Sequence, residues 1–163
     1  MKGKKYENFT LPLALFDAVP VVLFSASMLL IAQRFKALLF AAGAVVCVVA
    51  GLGKVSWKII LAASKKDVSF LNKQMRFLMP CGFALLIAGV VSGMNSEKWA
   101  ALKSGALSFP SVLFFAITAF SMVLMGVFAF KLDQTKARSN LIEQTTNTIA
   151  QGFFLLGVCF AVR

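Results

Sequence analysis

Asp17 is the acidic residue that lies deepest within an apolar segment of this chain. If that segment crosses a membrane, its carboxylate costs about 2.5–3.5 kcal/mol, so Asp17 needs a partner or a role. Lys54 lies in the next apolar segment. If both segments are helices of an antiparallel hairpin that turns near Phe35, position 17 comes level with position 53. We therefore predict an ion pair between Asp17 and Lys54.

Three roles are open for these two residues. The pair stabilises the hairpin, or Asp17 exchanges Lys54 for a proton, a cation or a substrate during transport. In the third case Lys54 is unpaired and extends its ammonium group to the lipid head groups.

A second polar feature is a row of amide side chains near the C-terminus, with Glu143 beside it: Asn140, Gln144, Asn147 and Gln151. Their spacing places them on one face of a helix. Amides that face lipid would leave donors and acceptors unsatisfied, so this amide stripe should face protein or water. It either forms hydrogen bonds between helices, lines a path for a solute, or belongs to an amphipathic helix at the membrane surface.

The residue inventory argues against most enzyme chemistry. The chain has no histidine, which removes the usual zinc sites and histidine-based acid–base catalysis. Cys47, Cys81 and Cys159 form no C-x-x-C spacing, the acids form no cluster, and no glycine-rich phosphate loop is present. We expect no catalytic residues, no metal, no cofactor and no enzymatic activity.

The elements that position these residues must be membrane-spanning helices. With 60% hydrophobic residues and a mean hydropathy of +0.85, the 163-residue chain is too apolar for a soluble domain. Its long apolar runs predict an all-α polytopic protein with one domain, residues 1–163. Five spans are expected, the fifth partly polar, at residues 11–33, 37–57, 77–94, 107–130 and 141–162.

The basic residues predict the orientation, because lysines and arginines concentrate in cytoplasmic loops. With the N-terminus inside, eleven lie on the cytoplasmic side and five outside, with Lys54 counted as intramembrane. The cytoplasmic set is Lys2, Lys4, Lys5, Lys58, Lys65, Lys66, Lys73, Arg76, Lys131, Lys136 and Arg138, and the outer set is Arg34, Lys36, Lys98, Lys103 and Arg163. We predict N-in/C-out topology, with Trp57 and Lys58 at the membrane interface.

The net charge of +11 fits attraction to anionic lipids rather than to nucleic acid, since no basic stripe with interleaved aromatic residues is present. The expected partners are therefore the lipid bilayer with its anionic lipids, further copies of this chain or another membrane protein. We expect a multi-pass protein of the cell membrane.

Small residues indicate where helices approach one another closely. Gly43 and Cys47 share a stripe with Lys54 on the second helix, and we expect this stripe to face the first helix. Gly89 and Gly93 form a G-x-x-x-G on the third helix, which packs either within the chain or between copies.

Two functions remain. The first is a transporter or channel for a small solute or ion, acting as a homo-oligomer because five short helices enclose little space. The alternative is a non-catalytic membrane subunit or assembly partner of a larger complex. The distinguishing feature is whether the amide stripe faces an enclosed cavity or another chain.

Overall fold

The computed structural model describes residues 10–93, 95–132 and 137–162, and within these ranges the regular structure is entirely helical. The all-α prediction is therefore confirmed. The predicted topogenic residues Lys2, Lys4, Lys5, Lys136 and Arg163 lie outside the described residues, as does Met94. The helices are α1 (Leu11–Phe16), α2 (Ala18–Phe35), α3 (Leu38–Ser64), α4 (Ser69–Lys73), α5 (Met75–Gly93), α6 (Ser96–Leu107), α7 (Ser111–Lys131) and α8 (Ala137–Ala161).

Four stretches are long and apolar enough to cross a membrane, which indicates a multi-pass membrane protein. They are Leu11–Arg34, Leu38–Ser64, Ser69–Gly93 and Ser111–Phe128. The fifth predicted span corresponds to α8, which has the length of a span but a polar first half. The predicted connection before the fourth span is itself a helix, α6.

The break between α1 and α2 places Asp17 at a joint in the first span. Pro20 has no N–H to donate, and its ring conflicts with the carbonyl four residues earlier, at Phe16. The first span accordingly divides at Asp17, between a helix that ends at Phe16 and one that begins at Ala18.

The turn from α2 to α3 makes an antiparallel hairpin, as predicted. Lys36 adopts a left-handed conformation (φ 50°) and its N–H donates to the carbonyl of Ala32 at 3.0 Å. Ala37 is extended, and α3 begins at the next residue. The turn therefore lies between Lys36 and Ala37, about one residue later than the sequence analysis assumed.

Trp57, predicted to lie at the membrane interface, has its side chain buried among the helices. Its side chain is only 5% exposed, and its indole N–H donates to Asp67 Oδ1 at 2.8 Å. The helix α3 continues past Trp57 to Ser64, about two more turns, so Trp57 lies inside the helix rather than at its end. Asp67, in the connection that follows, is in reach of the buried indole.

The helices pack side by side in the order α5, α3, α1/α2, α8 and α7, with α6 against α7 and α8. We call the end where α1 begins and α3 finishes the Thr10 end, and the end with the α2–α3 turn and α6 the Lys36 end. A central apolar core joins α2, α3 and α5: Met28, Phe40, Ala44, Cys47 and Leu86.

Glycines bring α3 and α5 into close contact. A Cβ added at Gly43 would lie 2.7 Å from the backbone nitrogen of Leu86, and one at Gly82 would lie 2.5 Å from Cys47 Sγ. The stripe predicted to face the first helix thus turns Gly43 and Cys47 towards α5. Small residues allow the backbone of a neighbouring helix to approach closely. At this level α5 also has a glycine, whereas α2 has bulky side chains, so the closer contact forms with α5.

The G-x-x-x-G glycines lie within the chain. A Cβ at Gly89 would overlap the backbone of Phe40, and one at Gly93 would lie 2.8 Å from Ala37 Cβ. Of the two predicted alternatives, the structure therefore shows packing of α5 against the start of α3.

Candidate functional site: a polar cavity near the Thr10 end

Asp17 forms its ion pair with Lys58 rather than with the predicted Lys54. Both residues are buried, with Asp17 4% and Lys58 6% exposed. The sequence predicts Lys58 at the membrane interface, whereas the structure places its ammonium group among the helices, paired with Asp17. The pair links the joint of the first span to α3.

The change of partner follows from the direction of helical side chains, which lean towards the N-terminus of their own helix. Because the hairpin is antiparallel, Lys58 leans back towards the level of Asp17, while Lys54 leans past it towards the Lys36 end. The later turn position moves the register in the same direction. The predicted Asp17–Lys54 pair took Phe35 as the turn and compared Cα levels alone, so it neglected both the lean of the side chains and the later turn.

Lys54 nevertheless belongs to the same electrostatic cluster. It is half-buried and interacts electrostatically with Asp17 and with Glu143 on α8. Two cations and two anions therefore lie near one another in the Thr10 half of the bundle, and their formal charges balance.

Asn140 connects this cluster to α8. Its Oδ1 accepts a hydrogen bond from Lys58 Nζ at 3.5 Å, and the residue is 7% exposed. Side chains from three elements therefore meet at Lys58. The amide stripe predicted on α8 starts at this contact.

A cavity of about 280 Å³ lies beside the cluster, between α2, α3, α5, α7 and α8. We call it the polar cavity. Its polar lining is Asp17, Lys54, Lys58, Gln144, Asn147 and Gln151, and methionines at positions 75, 79 and 122 supply much of the apolar wall. Methionine side chains are flexible and polarizable, so this wall can adapt to small changes in what occupies the cavity.

The amide stripe thus faces the interior of the bundle. Gln144, Asn147 and Gln151 line the polar cavity, and Gln151 Nε2 donates to Asn147 Oδ1 at 3.4 Å. These amides offer both donors and acceptors towards the polar cavity. Of the predicted packing residues, Cys47 also reaches this cavity.

The site includes residues that sequence reasoning missed. Lys58 lies one helical turn beyond Lys54 on the same stripe, so the periodicity of α3 could have indicated it. The methionine wall had no such signal, because α5 and α7 are apolar on most sides and the methionines are apolar like most of their neighbours.

The described part of the chain contains no group of three or more histidine, cysteine or acidic residues that could hold a metal ion. What the arrangement can do is bind: it presents paired charges and amides in a small, partly open cavity between the helices. No family model, curated protein or solved structure matches this chain, so the site is interpreted from its geometry.

Proposed function

We propose that this protein is a transporter or channel for a small polar solute or ion in the cell membrane, with the polar cavity as its binding site. The observation that carries the proposal is the orientation of the amide stripe, which faces a partly open cavity between the helices that Asp17, Lys54 and Lys58 also line. Buried ionisable groups in membrane helices mark substrate and ion pathways because their burial is costly.

The size of the polar cavity favours a solute of few atoms. Its 280 Å³ is close to the lower limit of about 300–1,000 Å³ for small-molecule sites. Balanced charges and amides suit a neutral or zwitterionic solute that both donates and accepts hydrogen bonds. An ion is accommodated if it replaces one member of the Asp17–Lys58 pair, which is how Asp17 would take part in transport.

Transport also needs access to the polar cavity from both sides of the membrane. The bundle is small, and α5 packs chiefly on α3 while α7 packs chiefly on α8. A second copy of the chain beside this gap would supply further wall, so we propose that the active form is a homo-oligomer.

Efflux from liposomes tests the proposal. Liposomes that contain the purified protein are loaded with labelled amino acids, small amides and alkali-metal salts, and efflux is followed by mass spectrometry and conductance. We expect release of at least one of these probes above protein-free liposomes. Gln144→Leu and Gln151→Leu should reduce that release about tenfold, as expected when a buried polar partner is lost.

Thr145→Val on the exposed face of α8 is the matched control and should leave efflux unchanged. Equal efflux from all three variants would contradict the assignment of the polar cavity. If the protein releases no probe, and its native mass after gentle extraction always includes a second polypeptide, the chain is instead a non-catalytic subunit.

A further inference from the structure

A second, larger cavity lies in the Lys36 half of the bundle. Its volume is about 850 Å³, within the range of about 300–1,000 Å³ for ligand sites. Residues from α2, α3, α5, α6, α7 and α8 line it, and its wall is mainly apolar. We call it the apolar chamber. Phe83 on α5 lines both this chamber and the polar cavity, so it marks the boundary between them.

The depth of the apolar chamber corresponds to one leaflet of a bilayer. Along α5 it extends from Phe83 to Val91, about 12 Å at about 1.5 Å per residue. Half of a hydrocarbon core of about 30 Å is about 15 Å. The chamber therefore spans most of the acyl region on the Lys36 side of the membrane.

The mouth of the chamber at the Lys36 end carries an excess of positive charge. Arg34, Lys36 and Lys98 line it together with one acid, Glu97, and all four side chains are exposed. Asn95 caps α6 by accepting from the N–H of Lys98 at 2.8 Å, and Lys98 Nζ donates to the carbonyl of Gly93 at 3.2 Å. These bonds hold the start of α6, and with it Lys98, at the mouth.

We propose that the apolar chamber binds an anionic phospholipid, with acyl chains between α5 and α7 and the phosphate beside Arg34, Lys36 and Lys98. The charge excess at the mouth and the leaflet-deep apolar wall match the two parts of this ligand. Because α5 packs chiefly on α3 and α7 packs chiefly on α8, a lipid can enter from the side between α5 and α7. The proposal does not depend on the transport function.

A spanning helix of a partner protein fits the chamber less well. Such a helix is about 10–12 Å wide and must continue across the whole membrane. Lys98, Ala101 and Leu102 of α6 line the chamber at the Lys36 end, and Phe83 bounds it at the other end. A lipid ends at both of these limits, whereas a spanning helix would have to pass them.

The test is a titration of the delipidated full-length protein with phosphatidylglycerol or phosphatidylcholine of identical acyl chains, followed by native mass spectrometry. We expect phosphatidylglycerol to bind more tightly. The triple variant Arg34→Gln/Lys36→Gln/Lys98→Gln should weaken its binding at least about tenfold, because it removes the basic side chains that attract the anionic head group.

The matched control is Lys65→Gln/Lys66→Gln/Lys131→Gln, which removes three exposed charges at the Thr10 end. This control should retain the preference for phosphatidylglycerol. Ile87→Trp fills the chamber from an exposed position on α5 and should weaken both lipids, whereas Val123→Trp, on the exposed face of α7 outside the chamber, should not.

Equal binding of the two lipids by the unaltered protein would overturn the proposal. So would an equal loss in both triple variants, which would indicate only general surface charge. Retention of a second polypeptide that must be removed before lipid binds would assign the chamber to a protein partner instead.

Discussion

At the scale of single residues, Lys58 is the centre of the site. It forms the ion pair with Asp17 and donates to Asn140, so it connects the first span, α3 and α8. Removing one member of a buried ion pair leaves the other charge uncompensated, whereas removing both members costs much less. The stability of the bundle should therefore depend on the pair as a unit.

We expect Lys58→Met to lower the free energy of unfolding by about 3–5 kcal/mol, because it leaves Asp17 buried and unpaired. Asp17→Asn should also destabilise, because it leaves Lys58 buried without its carboxylate partner, and Asp17→Asn/Lys58→Met should recover most of the loss. Unfolding in detergent micelles, followed by circular dichroism, measures all three.

Lys54→Met is the control, because Lys54 is more exposed and interacts with Asp17 only at longer range. Its effect should be well below that of Lys58→Met. Strictly additive losses in the double variant would show that Asp17 and Lys58 are not energetically coupled.

At the scale of elements, contacts between α3 and α5 depend on residues without side chains. Gly43, Gly82 and Gly89 each lie where an added Cβ would meet the opposite helix at short range. Helices in lipid gain stability from such close approach, because lipid tails are as apolar as the side chains and give little hydrophobic drive.

We expect Gly89→Ala to destabilise the protein by about 1–3 kcal/mol, because the methyl group would overlap the backbone of Phe40, which has little room to move. Gly126→Ala on α7 is the control, since no atom lies within 4 Å of the added Cβ. It should be neutral or stabilising by up to about 1 kcal/mol. Thermal unfolding in detergent compares the two, and similar shifts would contradict the packing argument.

At the scale of the whole molecule, the course of α8 connects the two halves of the protein. Asn140, near its start, meets Lys58 in the Thr10 half, and Ala161 at its end packs against Gly105 of α6 at the Lys36 end. A helix of this length and course predicts a fifth span, with its polar residues turned inward.

Cysteine labelling tests this topology together with the N-in orientation. In a chain whose own three cysteines are replaced by alanine, we introduce Lys66→Cys, Lys103→Cys or Val162→Cys. A membrane-impermeant maleimide should label the variants at 103 and 162 in intact cells, and the variant at 66 only after permeabilisation. Protection at 162 together with 66 would show that α8 lies on the cytoplasmic surface instead.

The sequence by itself determined the class of the protein and the chemistry of its interior. Runs of apolar residues predict spanning helices because backbone groups in lipid must bond within their own segment. Asp17 and the amide stripe were recognisable because polar groups in such runs are costly and therefore few. The α2–α3 hairpin followed from the short connection between two long runs.

The tertiary structure decided which of these residues meet. Whether Asp17 pairs with Lys54 or with Lys58 depends on the position of the turn to within a residue or two and on the lean of side chains, which periodicity cannot resolve. Several faces of these helices are equally apolar, and which of them pack together decides that Gly43 and Cys47 turn towards α5. The same choice decides where the two cavities form. In lipid these faces do not differ in hydrophobicity, so only shape complementarity in three dimensions selects among them.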